Sequence, residues 1–135
     1  KILILGFSFK ANTNDTRESS SISISSNLIN NGAYLYIHDP QVSEKQIKND
    51  LINQESLIAD FKSENNWEYV EDIYIAANDV DAIIILTEWS FYKELNWNKI
   101  YSLMRKPAWI FDTRSILDSK ILEKIGFKFW VLGQG

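Results

Sequence analysis

The sequence predicts an α/β fold, a Rossmann-like three-layer domain in which a mainly parallel sheet lies between helices on both faces. Two observations carry this. Apolar runs of strand length recur between segments that have helical caps or helical spacing. One of them, Asp81-Ala-Ile-Ile-Ile-Leu86, is apolar without alternation, as expected of a strand covered on both faces of a parallel sheet. The 135 residues fit one domain, and with 45% of them apolar there is enough material for a real core.

The first strand is Ile2 to Leu5, closed by Gly6 and followed by a polar loop carrying Lys10 and Arg17. Asp15 and Glu18 have the spacing of a capping box, which predicts a helix from near Thr16 to the C-cap at Asn31-Gly32. The middle of that helix alternates Ser and Ile and locally imitates a strand. Its length and caps favour the helix, with Ile22, Ser25, Ser26 and Ile29 on one face. Strand, loop and helix N-terminus form a corner suited to an anion.

Ala33 to His38 is the second strand, stopped by Asp39-Pro40. Ser43 and Gln46 form another capping box, opening a helix with Ile47 and Leu51 on one side. Asn53 to Asn66 is mixed and polar, without a clear assignment. Trp67 to Val70 reads as a short strand, and Glu71 to Ala77 as a short helix with acids in its first turn. After the Asp81–Leu86 strand come Thr87-Glu88-Trp89 and two helical stretches, Phe91 to Leu95 and Asn98 to Met104. Ala108 to Phe111 is a strand ending in Asp112-Thr113-Arg114. A helix over Asp118 to Lys124, Gly126 and a last strand, Phe127 to Leu132, complete the chain. Right-handed crossovers put the loops after the strands along one edge, so Lys10, Arg17, Thr87-Glu88 and Arg114 converge there.

The formal net charge is −4 and the cations are scattered, which argues against a nucleic-acid backbone as partner. With no Cys, a disulfide framework, a thiolate metal site and a cysteine nucleophile are excluded. No apolar run approaches the roughly 20 residues of a membrane span. No signal peptide is visible, and the expected compartment is cytoplasmic. Without such a signal, Asn14-Asp15-Thr16 is a sequon in form only. The chain opens on a strand with no initiator Met, which suggests a fragment of something longer.

A dinucleotide fingerprint is absent, because Gly6 is the only glycine of the first loop. Asp39 then reads as a turn former before Pro40. No P-loop is present, and Gly6-Phe-Ser8 lacks the closing glycine of a nucleophile elbow. His38, the only histidine, reads as structural. Trp89, Trp97 and Trp109 read as packing residues. Lys10 and Arg114 are either ordinary surface cations or the two halves of a grip on a diphosphate, helped by the helix terminus. Arg17 has Asp15 and Glu18 as local partners.

The run Gly6-Phe-Ser-Phe-Lys10-Ala-Asn-Thr13-Asn-Asp15-Thr-Arg17-Glu18-Ser19 resembles the opening of the C-terminal, UDP-binding domain of the UDP-glucose/GDP-mannose dehydrogenase family. The likeness continues through Ile37-His-Asp-Pro40, Leu86-Thr-Glu-Trp89, Lys106-Pro-Ala108, Ile110-Phe-Asp-Thr-Arg114 and Ile116-Leu-Asp118, in the family's order and nearly to the end of the chain. It implies that residues 1–135 are that C-terminal domain alone. The NAD-binding and central helical domains, with the glycine fingerprint and a cysteine nucleophile, would precede it in the same polypeptide. By the same resemblance the full-length enzyme is a homo-oligomer that oxidises UDP-glucose to UDP-glucuronate with two NAD+, the cofactor being held mainly by the N-terminal domain. Phe9, Lys10 and Arg114 are the implied UDP-sugar contacts, and Arg17 reaches across a cleft to NAD. Thr113 departs from the small Gly or Ala that the family often has before the arginine, adding bulk beside the site. Two rival readings remain: an α/β hydrolase or transferase acting through Ser8 or His38, and a non-catalytic assembly module.

Overall fold

The computed structural model describes residues 1–55, 63 and 66–133, so most of the unassigned Asn53–Asn66 stretch lies outside the described residues. Strand and helix alternate from β1 (Ile2–Leu5) and α1 (Ser20–Asn30) through β2 (Leu35–His38), α2 (Glu44–Glu55), β3 (Trp67–Tyr69) and α3 (Ile73–Ala77). Next come β4 (Ala82–Ile85), a 3₁₀ turn (Ser90–Glu94), α4 (Trp97–Leu103), β5 (Trp109–Asp112), α5 (Ser119–Ile125) and β6 (Lys128–Val131). The six strands form one sheet in the order β3-β2-β1-β4-β5-β6, and every pairing is parallel. The strand order reverses between β1 and β4. Ligands of open α/β sheets bind at that point, beyond the carboxyl ends of the strands.

Side chains alternate across the sheet, so β1 supplies both cores. Leu3 and Leu5 pack with Ile83, Ile85, Ile110 and the residues of α3, α4 and α5. Ile4 packs with Leu35, Ile37 and the α1 and α2 residues Ile29, Ile47 and Leu51. On that second face, Trp109 and Trp130 remain 38% and 39% exposed. They flank Phe111 in an aromatic ladder, with Trp109 and Phe111 stacked at 5.5 Å. Trp97 and Trp89 are buried, whereas Trp109 sits on this rim.

Helix α1 forms over the Ser/Ile alternation, but it does not start at the expected capping box. Asp15 turns its carboxylate to the Arg17 backbone N–H at 2.9 Å and to the Arg17 side chain. Glu18 has φ +60°, a left-handed conformation that no helical residue adopts. The cap is Ser19, whose hydroxyl oxygen accepts from Ser21 N–H at 3.2 Å and donates to the Phe7 carbonyl at 2.9 Å. Ser21, Ser25, Ser26 and Ile29 form the buried face, with Ser21 where Ile22 was expected. These small side chains let the helix sit close enough for Ser21 Oγ to donate to the Gly6 carbonyl at 3.1 Å. Similarly, Asp72 caps α3 by accepting from Tyr74 and Ile75 N–H, so the expected first-turn acids lie outside that helix.

Candidate functional site

The site is built where the ends of β1, β4 and β5 meet. Gly6 makes the meeting possible: its φ is +103°, and a Cβ there would lie 2.4 Å from Thr87 Cβ. The two loops then interlock. Thr87 Oγ1 donates to the Ser8 carbonyl at 2.9 Å, and the Ala11 N–H donates to Glu88 Oε1 at 2.8 Å.

Asp39, at the end of β2 and 1% exposed, fastens the same corner from the other side. Its Oδ2 accepts from Phe7 N–H at 2.7 Å, Ser8 N–H at 3.0 Å and the Trp89 indole at 3.2 Å. Its Oδ1 accepts from Gln41 and Val42 N–H. It forms the expected turn but also far more, because its carboxylate occupies the amides just past β1 where a dinucleotide's pyrophosphate docks in fingerprint-bearing domains. At the α1 terminus, the Ser21 and Ile22 N–H groups are paired to Ser19. Side-chain cations, Lys10 and Arg114, also meet at this edge.

Those cations come from two strands. Asp112 closes β5 and accepts from Arg114 N–H at 3.0 Å and Leu117 N–H at 2.9 Å, which turns the chain back. Arg114 then reaches over β4. Its Nε donates to the Leu86 carbonyl at 3.0 Å, Nη2 donates to the Phe9 carbonyl at 3.3 Å, and Nη1 lies 3.3 Å from Glu88 Oε2. Thr113 tucks its hydroxyl onto the Ile85 carbonyl at 2.6 Å, so its bulk is turned into the sheet end. Phe9 is 45% exposed. Lys10 is exposed, and its ammonium has no ion-pair partner among the described residues. Phe9, Lys10 and Arg114 thus share one edge, as their strand positions predicted.

Arg17 lies on the same loop, with its side chain 88% exposed and paired to Asp15 at 2.9 Å. Hydrogen bonds from Arg17 hold the Asp15 carboxyl down to about 2. Burial alone would raise the pKa of Glu88, but the Ala11 and Glu88 amides and the nearby Arg114 and Lys10 charges bring it below the usual carboxylate range. Ser8 and His38 form no nucleophile–base pair. Ser8 is fully buried and donates to the Lys10 carbonyl, while His38 Nδ1 lies 3.0 Å from the Tyr92 hydroxyl. No cluster of metal-ligating side chains occurs among the described residues.

The sequence profile of the UDP-glucose/GDP-mannose dehydrogenase family, UDP binding domain, matches residues 3–119. The chain belongs to this family.

Within the UDP-glucose/GDP-mannose dehydrogenase family, the chain is 44% identical over 136 aligned residues to a UDP-glucose 6-dehydrogenase of Rattus norvegicus, covering 99% of this chain and 27% of that protein. It is also 44% identical to the UDP-glucose 6-dehydrogenase of Caenorhabditis elegans, covering 98% and 27% respectively. The chain therefore spans about a quarter of the length of these relatives. Among solved structures, the UDP-D-ManNAc dehydrogenase of Pyrococcus horikoshii superposes with a TM-score of 0.72 at 25% identity, over 99% of this chain and 25% of that one. As a UDP-binding domain of the dehydrogenase family, the chain has its three expected substrate residues on one edge. Sequence reasoning did not assign site roles to Glu88 and Asp39. Glu88 was placed on this edge by the strand order, and both stand within the family-like runs Leu86-Thr-Glu-Trp89 and Ile37-His-Asp-Pro40.

Proposed function

We propose that this chain grips the nucleotide diphosphate of a UDP-sugar at the carboxyl edge of β1, β4 and β5, as the substrate half of an NAD-dependent UDP-glucose 6-dehydrogenase. The observation that carries the reading is the Arg114 guanidinium drawn across β4 onto the Phe9 carbonyl, beside the exposed Lys10. A guanidinium fork and an ammonium on one edge suit the paired charges of a diphosphate. Phe9 offers an exposed ring for the nucleoside or sugar.

The whole enzyme would convert UDP-glucose, two NAD+ and water to UDP-glucuronate and two NADH. NAD does not fit the β1 loop of this domain, because Asp39 fills the amides and no second glycine follows. It belongs with a separate domain of the same polypeptide, toward which the exposed Arg17 is free to turn once it leaves Asp15. Accordingly, this chain contributes binding and orientation and performs no redox step. The reading carries with it a cytoplasmic homo-oligomer. Among the described residues no helix is long and apolar enough to cross a membrane.

Calorimetric titration of the chain with UDP and with uridine tests the reading. UDP binding weakened by roughly 1–3 kcal/mol in both Lys10→Ala and Arg114→Ala, with uridine binding unmoved, is the expected result. Equal affinity for UDP and uridine in the unsubstituted chain would remove the diphosphate grip and leave the assembly-module alternative standing.

A further inference from the structure

Between the two cations assigned above stands an acid that neither strand pattern nor charge balance calls for. Glu88 is fixed at its backbone from both sides. Thr87 is hydrogen-bonded to the Ser8 carbonyl, and the Trp89 indole is hydrogen-bonded to Asp39. From that mount its carboxylate divides its two oxygens between the two loops. Oε1 accepts the Ala11 N–H at 2.8 Å, one residue beyond Lys10. Oε2 is buried and makes no hydrogen bond of good geometry, yet it lies 3.3 Å from Arg114 Nη1.

We infer that Glu88 is a positioning residue for nucleotide-sugar binding, one carboxylate holding the Lys10 segment and the Arg114 guanidinium at a fixed separation. The inference rests on the diphosphate reading and adds to it the device that sets the spacing of the two cations. Two effects of Glu88 oppose each other. Its negative charge repels a diphosphate and partly neutralises both cations. Its contacts also spare the ligand the ordering of a long Arg side chain and a loop, each of which otherwise subtracts from affinity. The geometry favours ordering. Arg114 keeps its Nε on the Leu86 carbonyl and Nη2 on Phe9 while Nη1 touches Glu88, so the acid completes a three-sided seat for the guanidinium.

Two variants separate these roles. Glu88→Gln keeps an oxygen for the Ala11 N–H and removes the charge beside Arg114, and Glu88→Ala removes both. UDP affinity is expected to fall about threefold or more in Glu88→Gln and about tenfold or more in Glu88→Ala, with uridine affinity unchanged. Glu88→Gln should have no further effect in an Arg114→Ala background, where there is nothing left to seat. Tighter UDP binding in Glu88→Gln, or undiminished binding in Glu88→Ala, overturns the inference. Should the unsubstituted chain ignore UDP altogether, the diphosphate reading fails separately. The seat that Glu88 provides is then tested without ligand, by hydrogen exchange at the Ala11 amide and at the Arg114 guanidinium. Faster exchange at Ala11 in Glu88→Ala only, and at Arg114 in both variants, supports it, and unchanged rates sink it.

Discussion

The Arg114 Nη2 group donates to the Phe9 carbonyl at 3.3 Å, joining the loop after β5 to the loop after β1 across the intervening β4. The contact depends on the shape of a guanidinium, which addresses Leu86, Phe9 and Glu88 with three different nitrogens. A lysine ammonium has the charge but only a single nitrogen. Arg114→Lys should therefore behave nearly as Arg114→Ala in a UDP titration, losing roughly 1–3 kcal/mol. Near-complete retention of affinity would mean that charge alone is what the ligand requires.

Asp39 collects donors from Phe7, Ser8, Gln41, Val42 and Trp89. An asparagine at this position presents one oxygen and turns an NH2 group toward donors. Asp39→Asn should lower the unfolding free energy by about 3 kcal/mol or more, since buried donors left unpaired cost roughly 1–3 kcal/mol each. Urea denaturation followed by tryptophan fluorescence would report it. A midpoint close to that of the unsubstituted chain would show that water replaces the carboxylate at little cost.

The start of α1 offers a contrast between two capping candidates. Ser19→Ala removes the oxygen that accepts from Ser21 and the hydroxyl that holds the Phe7 carbonyl, so it should cost about 1–2 kcal/mol. Asp15→Ala breaks an exposed pair with Arg17 outside the helix and should leave helical content unchanged by circular dichroism. A loss of helix in Asp15→Ala would reinstate the earlier start of α1.

His38 makes stability depend on pH. Burial depresses the pKa of its imidazole below the usual 6.5, against a smaller upward pull from Asp39. The unfolded chain therefore binds the His38 proton more readily than the folded one does. The stabilisation is complete above 6.5, declines as pH falls from there toward the folded value, and levels off below it. Urea midpoints measured from about pH 8 to about pH 5 should fall less in His38→Gln than in the unsubstituted chain over that window. Parallel curves would assign the decline to carboxylates.

Strand positions were legible because apolar runs bounded by Gly, Asp-Pro or polar turns leave few alternatives. The convergence of Lys10 and Arg114 followed from parallel topology alone. What escaped was set by contacts distant in sequence. Glu88 takes its role from an amide 77 residues away, and Asp39 from amides 31 and 32 residues away. No local pattern encodes either. The start of α1 was misplaced for the opposite reason, a local competition: Arg17, two residues beyond Asp15, captured the carboxylate that the capping box required.

The resident carboxylate at position 39 also bears on redesign. Installing the missing glycines through Ser8→Gly and Ala11→Gly would reproduce a dinucleotide fingerprint in spelling only, since the cradle is already filled by a tethered anion. Emptying it means removing the bolt that seats Trp89 as well. Converting this scaffold from one nucleotide class to another is thus a coupled change on three strands, beyond the reach of a loop graft.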